Sequence, residues 1–260
     1  MPPMPAYSLP TELDEPTLSE SDGVRYLHFN TAWIQGAMVV RAPTDLVLEY
    51  TAQMMAWLLF LAPPKGNDAI GLLGLGAGSL ARFCLKRTRS HVLAVEWNPR
   101  VTSACQMFFK LPPQARLDVE HMDAAAWVAD PLNRGRTPIL MVDLYDAQAR
   151  GPVRDSVAFY RDCRRALGDV GVMTVNLFGD HDSFPRNIDH IERAFDKRVV
   201  LLPEIDAGNR IALAFTGPPI AIEAETLMAR AEEVEAQFGL PARRWGRALM
   251  AYAKDGVFSV

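Results

Sequence analysis

The sequence predicts an α/β fold with a seven-stranded, mostly parallel sheet, and three observations carry that expectation. Short apolar runs at 69–73, 91–95, 116–120, 138–142 and 170–175 alternate with stretches of helical periodicity beginning near Gly78, Asn98, Asp123 and Asp155. Alternation of this kind places a parallel sheet between two layers of helix. A glycine-rich turn, Gly74-Leu75-Gly76-Ala77-Gly78, directly follows the first of these runs. Two final strand-like runs, 198–202 and 210–215, are joined by a short link containing Ala207-Gly208-Asn209. So short a link suits an antiparallel edge hairpin, since a parallel crossover needs a dozen residues or more.

The flanking segments follow the same logic. Residues 1–22, rich in Pro, Ser, Thr and Glu, read as a flexible tail. Runs at 24–29 and 33–40, separated by Asn30-Thr31, read as a small N-terminal β-hairpin. Pro43-Thr44-Asp45 predicts a helix capped by Thr44 and reaching to about residue 61. A helix is expected near 185–195, and two terminal helices at 223–238 and 241–254. The expected organisation is a tail at 1–22, the hairpin and helix at 23–62, a nucleoside-binding Rossmann-like domain at 63–217 and C-terminal helices at 218–260.

Composition narrows the function class. The chain has 260 residues, 49% hydrophobic and 22% charged, which is ordinary for a globular protein with a real core. A net charge of −4 gives no global reason to expect nucleic acid or anionic lipid. Arg243, Arg244 and Arg247 stand at helical spacing and read as a solvated face. Cys84, Cys105 and Cys163 lie far apart, without the spacing of a disulfide framework, and fit buried thiols in a reducing cytoplasm. The opening residues carry prolines and acids where a secretory leader would be apolar. The most apolar run, 54–63, is about half a membrane span. No His/Cys/Asp grouping has metal-ligand spacing.

The motifs point to a nucleoside. Gly74, Gly76 and Gly78 let the backbone turn sharply and let a ligand approach without a Cβ in the way. The same glycines would also serve tight strand–helix packing. Glu96 ends the next strand, where a carboxylate can accept both hydroxyls of a ribose. Asp123-Ala124 follows the third strand, where an aspartate can bond an adenine amino group or cap the following helix. Asp143 ends the fourth strand, with Tyr145 and Asp146 just beyond it. These positions all fall at the carboxyl ends of successive strands, where ligands sit in such sheets. A phosphate loop would need Gly-Lys-Ser/Thr, which is absent, and a dinucleotide fingerprint fails at Ser79. The pattern is that of the Rossmann-like class I methyltransferase fold.

The order and spacing of Gly74-x-Gly76-x-Gly78, Val95-Glu96, Asp123-Ala124, Val142-Asp143-x-x-Asp146, Phe159-Tyr160 and Leu167-Gly168 ahead of Gly171-Val172 resemble the spermidine synthase family, over about residues 24–216. Ile34-Gln35-Gly36 looks like that family's strand ending in a nucleoside-contacting glutamine. The resemblance implies aminopropyl transfer from decarboxylated S-adenosylmethionine to a polyamine or another small-molecule amine, and it suggests a homodimer. It implies that Gln35 and Gly76 contact the nucleoside, Glu96 the ribose and Asp123 the adenine. Asp143 would face the attacking amine, and Asp146 would help hold the second substrate.

The sequence departs from the family pattern at four places. The glycine loop has Ala77 where the family has an acid that holds the donor's cationic tail. Asp143-Leu144-Tyr145-Asp146 keeps both acids but changes what lies between them. Tyr50 stands out of register with the family's Tyr-x-Glu-Met helix, and Ile205 replaces a tyrosine. The nucleoside half is therefore expected intact and the polyamine half eroded, with Asp180 and Asp206 as candidate substitutes. Two other readings stand beside aminopropyl transfer: an S-adenosylmethionine-dependent methyltransferase, and a non-catalytic nucleoside-binding protein. Trp33, Trp57, Trp127 and Trp245 read as packing anchors, His91 and His121 as structural, and His181 as part of a solvated loop.

Overall fold

The computed structural model describes residues 13–113, 115–148, 151–179, 181–205 and 208–260. Residues 1–12, Asp180 and Asp206 lie outside the described residues. The first sheet holds β1 (Thr17–Ser21), β2 (Val24–His28) and β3 (Gly36–Val39) in antiparallel order β1-β2-β3. The expected hairpin thus gains a third strand from the segment read as tail. Thr17 to Ser21 alternate hydroxyl and acidic side chains with Leu18, a polar pattern that hides a strand lying exposed along one sheet edge. The strand expected at 33–40 begins only at Gly36, which leaves Trp33, Ile34 and Gln35 in the loop before it.

The helix expected from Thr44 to residue 61 is shorter. α1 covers Glu49–Met54 and passes directly into a 3₁₀ segment, Met55–Leu59. Its first residue follows Leu48, with no side-chain cap. Residues 41–48 are irregular, and the Pro43 carbonyl accepts from Arg82 Nε at 2.6 Å, which ties that segment to the helix after the glycine turn.

The central sheet is built from β4 (Ala69–Leu73), α2 (Ser79–Arg87), β5 (His91–Val95), α3 (Pro99–Phe108), β6 (Leu117–Glu120), α4 (Ala124–Ala129), β7 (Ile139–Val142), α5 (Val157–Leu167), β8 (Gly171–Phe178), α6 (Phe184–Ala194), β9 (Val199–Leu201) and β10 (Asn209–Thr216). Its strand order is β6-β5-β4-β7-β8-β10-β9. The first five strands run parallel, and β10 pairs antiparallel with both β8 and β9. Every residue of β4 and β7 is buried, as two helical layers require. On one face Trp57, Phe83, Phe109 and Trp245 pack with the N-terminal sheet and α2, α3, α7 (Ala224–Phe238) and α8 (Ala242–Leu249). On the other face α4, α5 and α6 bury Trp127, Tyr160 and Phe195. The last expected helix ends early: β11 (Ala221–Glu223), β12 (Ala253–Lys254) and β13 (Val257–Ser259) form a small antiparallel sheet. Asp255 and Gly256, both at positive φ, make the turn between β12 and β13.

Strand order switches at β4, flanked by β5 and β7, which opens a crevice at the carboxyl ends of these strands. The crevice depends on Gly74, at φ +93°, where an added Cβ would lie 2.2 Å from the Asp143 carbonyl oxygen. Gly74→Ala combines that clash with a backbone conformation closed to L-residues, so it is expected to destabilise the fold by about 3 kcal/mol. A urea midpoint equal to the parent's would show that the turn can take another path.

Candidate active site

A cavity of about 550 Å³ lies at the carboxyl ends of β4, β5 and β7. Gln35, Gly74, Gly76, Glu96, Asp123, Ala124, Asp143, Tyr145 and Asp146 all line it. The expected nucleoside and amine residues therefore share one space. Gly78 does not line it. A Cβ there would meet Arg82, Leu111 and Cys105, so its part is to start α2 behind the loop.

The loop is pressed against the N-terminal sheet. At Gly76, φ is +51° and an added Cβ would sit 3.0 Å from the Gln35 carbonyl. A Cβ on Gly36 would sit 2.6 Å from the Cβ of Ala77, which is 2% exposed. Ala77 thus faces Gly36, and a longer acidic side chain there would have to push the sheet aside. Gln35 Nε2 donates to the Asp146 carbonyl at 3.0 Å, tying the loop before β3 to the segment after β7.

Just past the end of β5, Glu96 is 6% exposed. Its Oε2 accepts from the Leu75 backbone N–H at 3.1 Å and its Oε1 from that of Asn98 at 2.9 Å. Burial raises its pKa, and the backbone hydrogen bonds oppose the rise. A carboxylate has about four lone-pair sites, so each oxygen retains capacity toward the cavity. Asp123 takes the helix-capping role its position allows, and its other oxygen meets an arginine. Its Oδ1 caps α4 by accepting from Ala125 and Ala126, and its Oδ2 faces Arg154 at 2.5 Å from Nη2 and 3.1 Å from Nε. Trp97, half-buried beside Glu96, and Met122, before Asp123, add apolar walls.

At the other end, Asp143 is the hub of a hydrogen-bonded network. Its Oδ2 accepts from the Tyr50 hydroxyl at 3.1 Å and its Oδ1 from Asn176 Nδ2 at 2.9 Å. Asn209 Nδ2 donates to Asn176 Oδ1 at 2.9 Å, and the Tyr145 hydroxyl to the Asn176 carbonyl at 3.2 Å. Burial raises the Asp143 pKa, while Asn176 and Tyr50 hold it down. Burial and the neighbouring Asp143 charge push the Tyr50 hydroxyl well above its ordinary value, so it stays protonated and donates to Asp143. Asp146 Oδ1 accepts from the Gln148 N–H at 2.9 Å.

Several residues here escape sequence reasoning. Tyr50 stands out of register as a motif, yet α1 carries its hydroxyl to Asp143. Asn176 and Asn209 belong to adjacent antiparallel strands, β8 and β10, and no local motif links them. Arg154 had no signal beyond its charge. Trp33, read as a packing anchor, is instead 55% exposed at the cavity, because it falls in the loop ahead of β3. Trp57, Trp127 and Trp245 are buried, at 0%, 0% and 2% exposure. His121 bonds Thr102, and His181 bonds Ser183 outside the cavity. The three cysteines are free and buried, which pushes the thiols of Cys84 and Cys105 up to about 12. Among the described residues no group of three His, Cys, Asp or Glu side chains is arranged to hold a metal ion, and no helix is long and apolar enough to cross a membrane.

Known proteins bear on this geometry at two levels. The fold matches a probable spermidine synthase from Corynebacterium glutamicum at a TM-score of 0.68, with 18% identity, covering 93% of this chain and 91% of that one. It also matches human methyltransferase-like protein 13 in complex with SAH at 0.64, with 20% identity, covering 75% and 94%. At such identities the likeness shows the fold alone. No family model matches the sequence. Sequence similarity reaches further. A polyamine aminopropyltransferase from Chromobacterium violaceum is 34% identical over 230 residues, 88% of this chain and 86% of that protein. One from Neisseria meningitidis is 32% identical over 232 residues, 87% and 86%. Similarity of that depth over nearly the full length of both partners makes the chain a member of the polyamine aminopropyltransferase family.

Proposed function

We propose that this protein transfers an aminopropyl group from decarboxylated S-adenosylmethionine to a small-molecule amine, as a cytoplasmic homodimer that engages neither nucleic acid nor membrane. One observation carries the reading: Asp143, its two oxygens held by Tyr50 and Asn176, opens into the same cavity as Glu96 and Asp123. Glu96 takes the ribose hydroxyls, and Asp123 shares its Oδ2 between Arg154 and the base amino group. Gln35 and Gly76 face the nucleoside, and Asp146 and Tyr145 shape the amine's approach.

The chemistry needs a negative charge at Asp143. A primary amine has a pKa near 10, so only about one molecule in a thousand is neutral at pH 7. Asp143 accepts the ammonium proton, and the freed lone pair forms a C–N bond to the propyl carbon beside the sulfonium. The C–S bond breaks with its electron pair going to sulfur, and neutral methylthioadenosine leaves. The proton then passes to solvent. The carboxylate also separates two cations that would otherwise repel each other.

Tyr50 sets the pH range of that base. Its hydrogen bond favours the ionised form of Asp143. Removing it raises the Asp143 pKa further, so Tyr50→Phe is expected to move the acid limb of kcat/KM toward higher pH by up to about one unit. A pH–rate profile checks this, and an unmoved acid limb would mean that another group controls it.

Methyl transfer is favoured by one feature, Ala77, which brings no carboxylate to the donor's tail and so suits the carboxylated donor. Incubation with each donor separates the readings. Methylthioadenosine from the decarboxylated form supports aminopropyl transfer, and S-adenosylhomocysteine from S-adenosylmethionine supports methyl transfer. Neither product would leave a binding protein.

A further inference from the structure

We propose that residues 13–15 belong to the nucleoside site from outside the cavity: they fix Asn98, and Asn98 is a positioning residue for the Glu96 carboxylate. The inference rests on the reading that Glu96 takes the ribose hydroxyls, and it gives a working part to a segment whose composition reads as tail.

Backbone N–H groups hold the Glu96 carboxylate, so its aim depends on where those backbones sit. One of them, Leu75, belongs to the glycine turn, which is braced from behind: Cys105 Sγ donates to the Gly76 carbonyl at 3.0 Å and the Arg82 guanidinium to that of Ala77. The other, Asn98, stands past the end of β5, and three hydrogen bonds converge on it. Its N–H donates to Glu96 Oε1 at 2.9 Å, its Oδ1 accepts from the Arg100 N–H at 3.1 Å, and its Nδ2 donates to the Asp14 carbonyl at 2.7 Å. Asn98 is 1% exposed, and both ends of its amide are engaged, so it cannot turn without breaking a bond.

Arg100 adds a second tie to the same segment. Its Nη1 reaches Glu15 Oε2 at 2.7 Å and the Leu13 carbonyl at 3.4 Å. A cation in the first turn of a helix works against the helix dipole, so Glu15 offsets a charge that α3 alone would not favour. Glu15 and Pro16 lie in one groove with Pro99 and Arg100. The segment is itself anchored. It leads into β1, which pairs with β2 along its length, and Arg25 of β2 donates to the Phe108 carbonyl at the far end of α3 at 2.5 Å. The N-terminal stretch therefore grips α3 at both ends. If the Asp14 carbonyl is lost to Asn98, a buried amide donor goes unmet and Asn98 shifts to satisfy it. Glu96 Oε1 then loses its backbone donor, and the carboxylate its aim.

Calorimetric titration of the full-length protein with methylthioadenosine and with its 2′-deoxy analogue tests this without turnover. Asn98→Ser keeps the cap of α3, because serine accepts from a helix N–H as asparagine does, and it removes the donor to Asp14. The parent is expected to bind methylthioadenosine about tenfold or more tighter than the analogue, one charge-assisted hydrogen bond. Asn98→Ser should weaken methylthioadenosine by about fivefold and the analogue by less than about twofold, so the preference shrinks. Arg100→Met, at a side chain 55% exposed, keeps the test open should Asn98→Ser fail to fold, and it should shrink the preference by about twofold. Equal losses for the two nucleosides would make Asn98 a merely structural residue, and a preference unchanged in both variants would separate residues 13–15 from Glu96. Either result overturns the proposal. A parent that binds both nucleosides alike would instead take the ribose away from Glu96 and remove the reading beneath the proposal, so the two failures are told apart.

Discussion

Asp143→Asn is expected to lower kcat by about 10²–10⁴-fold, the usual worth of a general base, with methylthioadenosine affinity changed by no more than about threefold. The substitution isolates charge from shape. An asparagine can turn its carbonyl to Asn176 Nδ2, and its amide then faces the Tyr50 hydroxyl, which rotates to accept. The network keeps its geometry, and Glu96 and Asp123, the carboxylates proposed to hold the donor's ribose and base, lie elsewhere in the cavity. What disappears is the acceptor for the ammonium proton and the negative charge between two cations. Single-turnover rates alongside nucleoside titrations give the separation. Turnover equal to the parent's would remove Asp143 from the reaction, and a parallel collapse of nucleoside binding would make it a structural residue.

The fold was legible wherever hydrophobic pattern alone decides structure. The runs at 69–73 and 91–95 are strands to the residue, because strands buried on both faces must be continuously apolar. Helix starts with side-chain caps were equally plain at Asn98 and Asp123, and the start expected near Asp155 falls one residue later, where Ser156 caps α5. The misses share another cause. β1 is a polar edge strand, and its register comes from pairing with β2, which no local pattern announces. The segment at 41–48 is held by Arg82, a residue about forty positions away along the chain. The site divides in the same way. Glu96, Asp123 and Asp143 stand at the ends of successive parallel strands, so reading the strands locates them. Tyr50, Asn176 and Asn209 reach the cavity from α1 and the antiparallel edge. Their convergence is tertiary. Of the four departures from the motif, the structure speaks to Tyr50, which fails the register that motif comparison tests and still brings its hydroxyl to Asp143.

Glu96→Gln tests the other half of the site, and it is expected to weaken nucleoside binding by about 10²-fold, one charge-assisted hydrogen bond of ~1.5–3 kcal/mol lost together with the anionic field on the ribose. The reason lies in how completely this carboxylate is embedded. Its two oxygens each accept a backbone N–H, from Leu75 in the glycine turn and from Asn98 at the cap of α3. A glutamine offers one oxygen and one NH₂, so one backbone N–H must face another donor. Either the Leu75 side of the loop or the Asn98 side then moves, and the loop risks one tie to the end of β5 while the Gly74 N–H stays on the Val95 carbonyl. An unpaired buried donor costs ~1–3 kcal/mol, so the variant should also unfold at lower denaturant concentration than the parent. Charge supplies an opposing contribution to stability. Burial raises the Glu96 pKa, so ionising it in the fold is unfavourable, and the stability it contributes is present below the unfolded pKa and lost as pH rises through the folded value. The neutral amide escapes that loss. The destabilisation by Glu96→Gln should therefore be larger at pH 4 than at pH 8, where the parent bears the cost of its charge. Denaturation at both pH values, paired with methylthioadenosine titration, reads the two effects together. Nucleoside affinity equal to the parent's would mean that the ribose is not held at the end of β5, and the assignment of this cavity to an S-adenosyl donor would fall with it.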